Sequence, residues 1–350
     1  MKNKRNISAF AIDIFCGVGG MTHGFLLEGI PVLVGIDADI SCKYSFEKNN
    51  KAIFWEKNIQ DLNGIELLPY YPKDRIKILI GCAPCQPFSK YTSKKSRDDK
   101  WALIHEFTRI IADSNPDIVS MENVPEVVKH HVFADFTNDM KSLGYQVSWK
   151  IVNCPEYGIP QTRKRLVFFA SKYGNVNLVE PTHKQDNYLT VRQTIGHLPS
   201  IEAGETHRKD SLHRASRLSS MNRKRIRASV PGGSWRSWND RLRLDCHKKS
   251  SGKTYPSIYG RMEWDKPSPT ITTQAHGYGN GRFGHPEQDR ALSLREAALL
   301  QTFPHYYDFI DPDQSFSISH IARHIGNAVP PQLGRIIAKS IKIHLEESHV

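Results

Sequence analysis

From Phe10 to about Ala170 the chain alternates short apolar runs with amphipathic stretches. Ala11-Ile12-Asp13-Ile14-Phe15 has the length and continuity of a buried strand, and so do Val32 to Ile36, Ile76 to Ile80, Asp117 to Met121, Gln146 to Val152 and Leu166 to Ala170. Met21 to Glu28 and Trp101 to Ala112 have helical spacing, the second with Leu103, Ile104, Phe107, Ile110 and Ile111 on one face. Such alternation predicts a parallel, doubly wound α/β sheet. Ligands of that architecture sit beyond the carboxyl ends of the strands.

The pattern breaks after about Pro181. From there to about Thr270 the chain is polar, basic and rich in turn residues, and it predicts a smaller, irregular domain. Trp235, Trp238 and Trp264 lie in it, and the first two fit a small core as well as base contacts. Helical spacing returns at Ser293 to Gln301 and at Leu333 to Leu345. The last helix carries Leu333, Ile336, Ile337, Ser340 and Ile341 on one face, which is expected to dock back on the large domain. The expected division is 1–184 for the large domain, 185–275 for the small one and 276–350 for the return.

Charge sharpens this division. The chain of 350 residues carries a formal net charge of +12. Between Glu205 and Lys253 there are 14 Lys/Arg against 4 Asp/Glu, so most of the excess sits in the irregular region. A block of this sign usually has an acidic partner, nucleic acid foremost. Six cysteines without framework spacing point to a reducing, cytoplasmic context. Cys82 and Cys85 form a C-x-x-C with no second ligand pair, so no metal is expected. No apolar run approaches membrane-spanning length. Lys2, Lys4 and Arg5 imitate a signal peptide, but Asp13 interrupts the apolar run that follows, and export is not expected.

Four segments carry candidate chemistry. Asp13-Ile14-Phe15-Cys16-Gly17-Val18-Gly19-Gly20 is a glycine-rich turn between strand and helix, where backbone can approach a ligand closely. Asp37 ends the second strand, 20 residues after Gly17, where a carboxylate accepts ribose hydroxyls. Together they indicate an adenosine-containing cofactor without separating a nicotinamide dinucleotide from S-adenosylmethionine. In Gly81-Cys82-Ala83-Pro84-Cys85-Gln86-Pro87-Phe88-Ser89, prolines fix the backbone around Cys85, a candidate nucleophile directly after a strand. Glu122-Asn123-Val124 presents a carboxyl at a strand end, where it can share a proton with a substrate ring nitrogen. In Gln161-Thr162-Arg163-Lys164-Arg165, alternation puts Gln161, Arg163 and Arg165 on one face, and guanidinium forks suit phosphate and carbonyl oxygens.

In this order, and with Arg295-Glu296-Ala297-Ala298-Leu299-Leu300-Gln301-Thr302-Phe303-Pro304 and Ile325-Gly326-Asn327-Ala328-Val329-Pro330, these segments closely resemble the DNA (cytosine-5)-methyltransferases of bacterial restriction-modification type. The resemblance runs over about residues 8–345. It implies a doubly wound, Rossmann-like S-adenosylmethionine-dependent large domain and a small target-recognition domain in the basic interval. It implies Cys85 as the nucleophile that attacks cytosine C6, Glu122 as the partner of the base's N3 and amine, Arg165 at the base carbonyl and Arg163 holding the site. Phe15, Gly17, Gly19, Gly20, Asp37, Asn58, Ile59, Asn327 and Ala328 fall at its cofactor positions, with S-adenosyl-L-homocysteine as the product. Gln86, Ser89, Lys94 and Arg97 fall on its DNA-closing segment. Arg241 and Arg243 are candidates for phosphate or guanine contact in the small domain. The partners implied are double-stranded DNA, flipped at one cytosine, and a restriction endonuclease acting on the same site without a stable complex. A monomer without membrane attachment is expected.

The chain departs from the family's pattern in two places. Lys57-Asn58-Ile59 puts an uncharged amide where the family often has an aspartate for the adenine amino group, and the segment after Pro84-Cys85-Gln86 lacks the usual glycines. Three other readings fit less well. A transfer RNA cytosine methyltransferase shares the Pro-Cys-Gln motif but characteristically carries Cys-Phe-Thr, which is absent here. A silent DNA-binding protein would have no use for Cys85, Glu122, Arg163 and Arg165 together. A nicotinamide oxidoreductase would likewise have no use for Pro84-Cys85-Gln86 beside Glu122-Asn123.

Overall fold

The six apolar runs become strands of one seven-stranded sheet, ordered β3-β2-β1-β4-β5-β7-β6, in which β3 has no expected counterpart. The computed structural model describes residues 8–84, 101–249 and 255–349. The strands are β1 (Ala9–Ile14), β2 (Val32–Asp37), β3 (Ile53–Glu56), β4 (Ile76–Gly81), β5 (Ile118–Asn123), β6 (Gln146–Asn153) and β7 (Lys164–Ser171). β1 to β5 pair in parallel. β7 runs antiparallel between β5 and β6, so the sheet is mixed rather than wholly parallel. The reason is local. Only residues 154–163 separate β6 from β7, and a parallel crossover needs a dozen residues or more, usually a helix.

The chain forms two compact units. One comprises Met1–Asn153, Lys164–Pro181 and Val329–Val350, the other Cys154–Arg163 and Thr182–Ala328. These limits follow packing, whereas the sequence division follows motifs, and the two cut the chain at different places.

In the first unit, α1 (Gly20–Leu27), α2 (Lys43–Asn50), α3 (Ala102–Ser114) and α4 (His131–Ser142) join the strands. Phe107, Ile110 and Ile111 of α3 and Phe136 of α4 pack with Leu79, Val119 and Phe168 of the sheet. The C-terminal helix, Pro331–Glu347, buries Leu333, Ile336, Ile337, Ser340 and Ile341, the face expected from the sequence. It lies closely against α1. A Cβ added at Gly24 would meet the Arg335 amide nitrogen at 2.3 Å, and one at Gly334 would meet the Met21 carbonyl oxygen at 2.8 Å. The polar sequence of α2 hid it from a periodicity reading, since of its hydrophobic residues only Phe46 is buried.

The second unit is mostly irregular, as the turn-rich sequence predicts. It holds a short hairpin, Thr206–His207 with Asp210–Arg214, and helices at Val191–Ile195, Ser220–Arg227, Leu294–Leu300 and Ile318–Asn327. Trp235 and Trp238 are buried here. Trp235 stacks on His247 with centroids 4.1 Å apart, and Trp238 donates from Nε1 to Ser229 Oγ at 2.9 Å, so both are core. Among the described residues, no helix is long and apolar enough to cross a membrane.

Candidate active site

The carboxyl ends of β1, β2, β4 and β5 carry the candidate groups of the first unit. After β1 the chain turns through Phe15, in the left-handed region with φ 63°, then Gly17 (φ 50°) and Gly19 (φ 84°). The amides of Phe15 and Cys16 both donate to the Ile36 carbonyl, at 2.8 and 3.2 Å. A β-carbon at Gly17 would meet nothing within 4 Å, so the loop borders open space. Gly20 begins α1.

Asp37, at the end of β2, accepts from the Gly17 amide on Oδ2 and from the Asp39 amide on Oδ1, each at 2.9 Å. Burial pushes its carboxyl above the ordinary carboxylate range, against the pull of those amides. Each carboxylate oxygen retains a lone pair for a hydroxyl. Behind it, burial raises the Asp13 carboxyl to about 7, even though Thr22 Oγ1 donates to it at 2.6 Å. Burial, then the charges of Asp13 and Asp37, push the Cys16 thiol up, so Cys16 is held as an unreactive thiol. Ile59 is buried in the core, and the exposed Asn58 uses its Oδ1 to accept from the Gln60 amide at 3.2 Å.

Glu122 is the best-defined candidate. It lies within β5, not after it, because the strand extends to Asn123. Only 2 % of it is exposed. On one side is Cys82, whose Sγ donates to Oε2 at 2.9 Å. On the other is Arg165 of β7, with Nε 2.8 Å from Oε1. The register explains this approach. Glu122 pairs with Val167, so Arg165 is the diagonal neighbour on the same face. The Arg165 contact is ionic and not aligned as a hydrogen bond, which leaves Oε1 without a hydrogen-bond donor. Asn123 donates from Nδ2 to the Ala83 carbonyl at 3.2 Å, tying the end of β5 to the chain leaving β4.

Cys85, Gln86, Ser89, Lys94 and Arg97 lie outside the described residues. The other candidates belong to the second unit. Arg163 is buried and donates from Nη1 to the Ile271 carbonyl at 3.3 Å. Gln161 is not presented with the arginines. It is fully buried, donates from Nε2 to Gln301 Oε1 at 2.6 Å and accepts from the Ile271 amide at 3.2 Å. Gln301 in turn donates to the carbonyls of Ile325, at 2.7 Å, and Ala328, at 3.1 Å. One chain of amides therefore joins the Gln-x-Arg-x-Arg, Arg-Glu-Ala and Gly-Asn-Ala-Val segments. Sequence reading missed it, because a glutamine that links segments has no spacing of its own. Arg243 is tied to Asp240 at 3.0 Å and donates to the Arg236 carbonyl at 2.6 Å. Arg241 is exposed.

The sequence profile for C-5 cytosine-specific DNA methylases matches residues 10–343. The chain belongs to the C-5 cytosine-specific DNA methylase family. It is 57 % identical to the Type II methylase M.HgiDII of Herpetosiphon aurantiacus, over 97 % of this chain and 96 % of that one. It is 30 % identical to the Type II methyltransferase M1.HphI of Haemophilus parahaemolyticus, over 94 % of this chain and 86 % of that one. Among solved structures, a prophage-encoded DNA modification methyltransferase (E. coli) superimposes with a TM-score of 0.73 at 21 % identity, covering 97 % of this chain and 99 % of that one. The S. pombe Dnmt2 methyltransferase gives a TM-score of 0.58 at 15 % identity, covering 97 % and 98 %. These two likenesses concern the fold. As a member of the family the chain is a DNA (cytosine-5)-methyltransferase.

Proposed function

We propose that this methylase transfers a methyl group from S-adenosylmethionine to C5 of one cytosine in a specific sequence of double-stranded DNA, as the modification enzyme of a Type II restriction-modification pair. The observation that carries the reading is Glu122. It is a buried carboxylate at the catalytic end of β5, with Oε1 left without a hydrogen-bond donor. A cytosine edge offers an amine donor, and a ring nitrogen that takes a proton, to such a group.

The residues of the first unit fit the cofactor. Asp37 offers two oriented oxygens for ribose hydroxyls, and Gly17 borders open space. When bound, the cofactor supplies an electrophilic methyl group. Phe15, Gly17, Gly19, Gly20, Asp37, Asn58 and Ile59 are assigned to holding it, and Asn327 and Ala328 to its methionine end on the resemblance alone.

The chemistry assigned to the chain's own groups begins with the base. Cytosine C5 is a poor nucleophile, and a stacked base hides C6, so the target nucleotide is flipped out at a cost of a few kcal/mol. The Cys85 thiolate bonds to C6, and the electron pair of the C5–C6 double bond becomes available at C5. The Glu122 carboxyl group shares a proton with N3 and accepts from the exocyclic amine, so negative charge developing in the ring is met by that proton. Arg165 contacts the base carbonyl and Arg163 holds the site. C5 then takes the methyl group with that electron pair, and loss of the C5 proton to solvent re-forms the C5–C6 double bond and expels Cys85 as the thiolate. Gln86, Ser89, Lys94, Arg97, Arg241 and Arg243 are assigned to DNA. The enzyme is assigned to the cytoplasm as a monomer, with a cognate endonuclease that acts on the same DNA sequence without forming a stable complex with it.

The test is methyl transfer from labelled S-adenosylmethionine to mixed-sequence duplex DNA, with single-base mapping of the product. 5-Methylcytosine confined to one short motif is the expected result. Labelling of transfer RNA instead, or cofactor binding without DNA methylation, overturns the reading. Cys85→Ala is expected to abolish transfer and retain DNA binding.

A further inference from the structure

We propose that Cys82 is a positioning residue for Glu122, its thiol fixing the plane of the carboxylate that meets the base. The inference rests on the reading of Glu122 given above.

The placement follows from strand register. In the parallel pair β4–β5 the last partners are Gly81 and Met121, so the next residues, Cys82 just past β4 and Glu122 still within β5, stand abreast. Partners in adjacent strands lie about 5 Å apart and point to the same side. Two contacts pin the backbone beneath the thiol. The Cys82 amide donates to the Ile14 carbonyl at 3.3 Å, and Asn123 Nδ2 donates to the Ala83 carbonyl at 3.2 Å. From this fixed base, Sγ reaches Oε2 of Glu122 at 2.9 Å.

The second observation is the other oxygen. Arg165 Nε stands 2.8 Å from Oε1, yet that oxygen has no hydrogen-bond donor. An unaligned cation attracts the carboxylate without fixing its rotation, and the terminal torsion of glutamate is broad and roughly two-fold. The directional contact on this carboxylate is therefore the thiol. Orientation matters here, because the base presents its ring nitrogen and amine in one plane. A thiol is a weak donor. It can set the plane and still leave the oxygens their capacity for the base.

Cys16, Cys42 and Cys154 are enclosed, whereas Cys82 is partly accessible and spends its proton on the one carboxylate at the end of β5.

The experiment compares Cys82→Ala and Cys82→Ser in steady-state methylation of duplex DNA. The expected result for Cys82→Ala is a fall in kcat of about 10-fold, the size of one hydrogen bond to a charged group, with KM for S-adenosylmethionine unchanged. Cys82→Ser, which keeps a donor, is expected to stay within about 3-fold of the wild type. Wild-type kcat in Cys82→Ala overturns the proposal. So does a serine variant as slow as the alanine one, since the thiol would then act by packing.

Infrared spectroscopy of the unliganded protein gives a readout independent of turnover. The Cys82 S–H stretch is expected at lower frequency than that of a free thiol, and to move back in Glu122→Gln. An S–H band indifferent to Glu122→Gln overturns the contact. Full methylation by Glu122→Gln would instead remove the reading of Glu122 itself.

Discussion

Glu122 in the first unit and Glu296 in the second are both buried beside an arginine, and they are held in opposite ways. Glu296, 1 % exposed, takes both guanidinium nitrogens of Arg290 at 2.7 Å and the Ser293 amide at 2.7 Å. Its own amide donates to Ser293 Oγ at 3.1 Å, closing a capping box at the helix Leu294–Leu300. Burial alone would raise its carboxyl, but the Arg290 hydrogen bond and charge outweigh burial and hold it at about 2. Nothing more is asked of this carboxylate. Glu122 has one thiol, one unaligned cation and an oxygen with no donor. A carboxylate saturated by its own chain builds structure, while one left short of donors has bonds to offer a substrate.

This contrast can be broken by exchange of charge for amide at each position. The largest effect is expected from Glu122→Gln, a fall in kcat of about 10³-fold, with the melting temperature close to that of the wild type. A variant that melts well below the wild type but methylates normally would put Glu122 in the same class as Glu296. Glu296→Gln is expected to do the reverse. It strands the buried charge of Arg290 and costs about 3–5 kcal/mol in urea unfolding. A loss below about 1 kcal/mol would show that the Arg290 pair contributes nothing net.

The pH dependence sharpens the same point with a smaller signal. The Glu296 carboxyl is depressed from an ordinary 4.5 to about 2, so its contribution is complete above 4.5 and lost as pH falls toward 2. The stability gap between wild type and Glu296→Gln is therefore expected to narrow across that window and to be level from pH 5 to 7. A gap that narrows on the alkaline side instead would assign the effect to another group.

The large unit was legible because its strands are apolar runs of ordinary length. β1, β2, β4 and β5 stand within two residues of where the pattern puts them. The strand β7 was legible too, but its antiparallel direction was not, because an apolar strand such as Leu166 to Ala170 looks the same in either direction. β3 and α2 were hidden by polar or short sequences, Ile53–Glu56 and Lys43–Asn50. Of the candidate site, Asp37 and Glu122 could be named from their positions at strand ends. Their partners could not. Cys82 reaches Glu122 through the register of two strands, and Gln161 reaches Gln301 across 140 residues. Motif spacing records neither.

The close approach of Gly24 and Gly334 also bears on how the chain is made. These residues are about 310 positions apart. At ribosomal rates of about 5–20 residues per second, α1 waits tens of seconds for the helix that covers it. Through that interval the side of α1 that carries Met21 and Gly24 has no final cover, and the basic second unit is synthesised while the first is still incomplete. The first unit therefore reaches its final form late, and its nascent chain is a natural client for chaperones that shield apolar surface during translation.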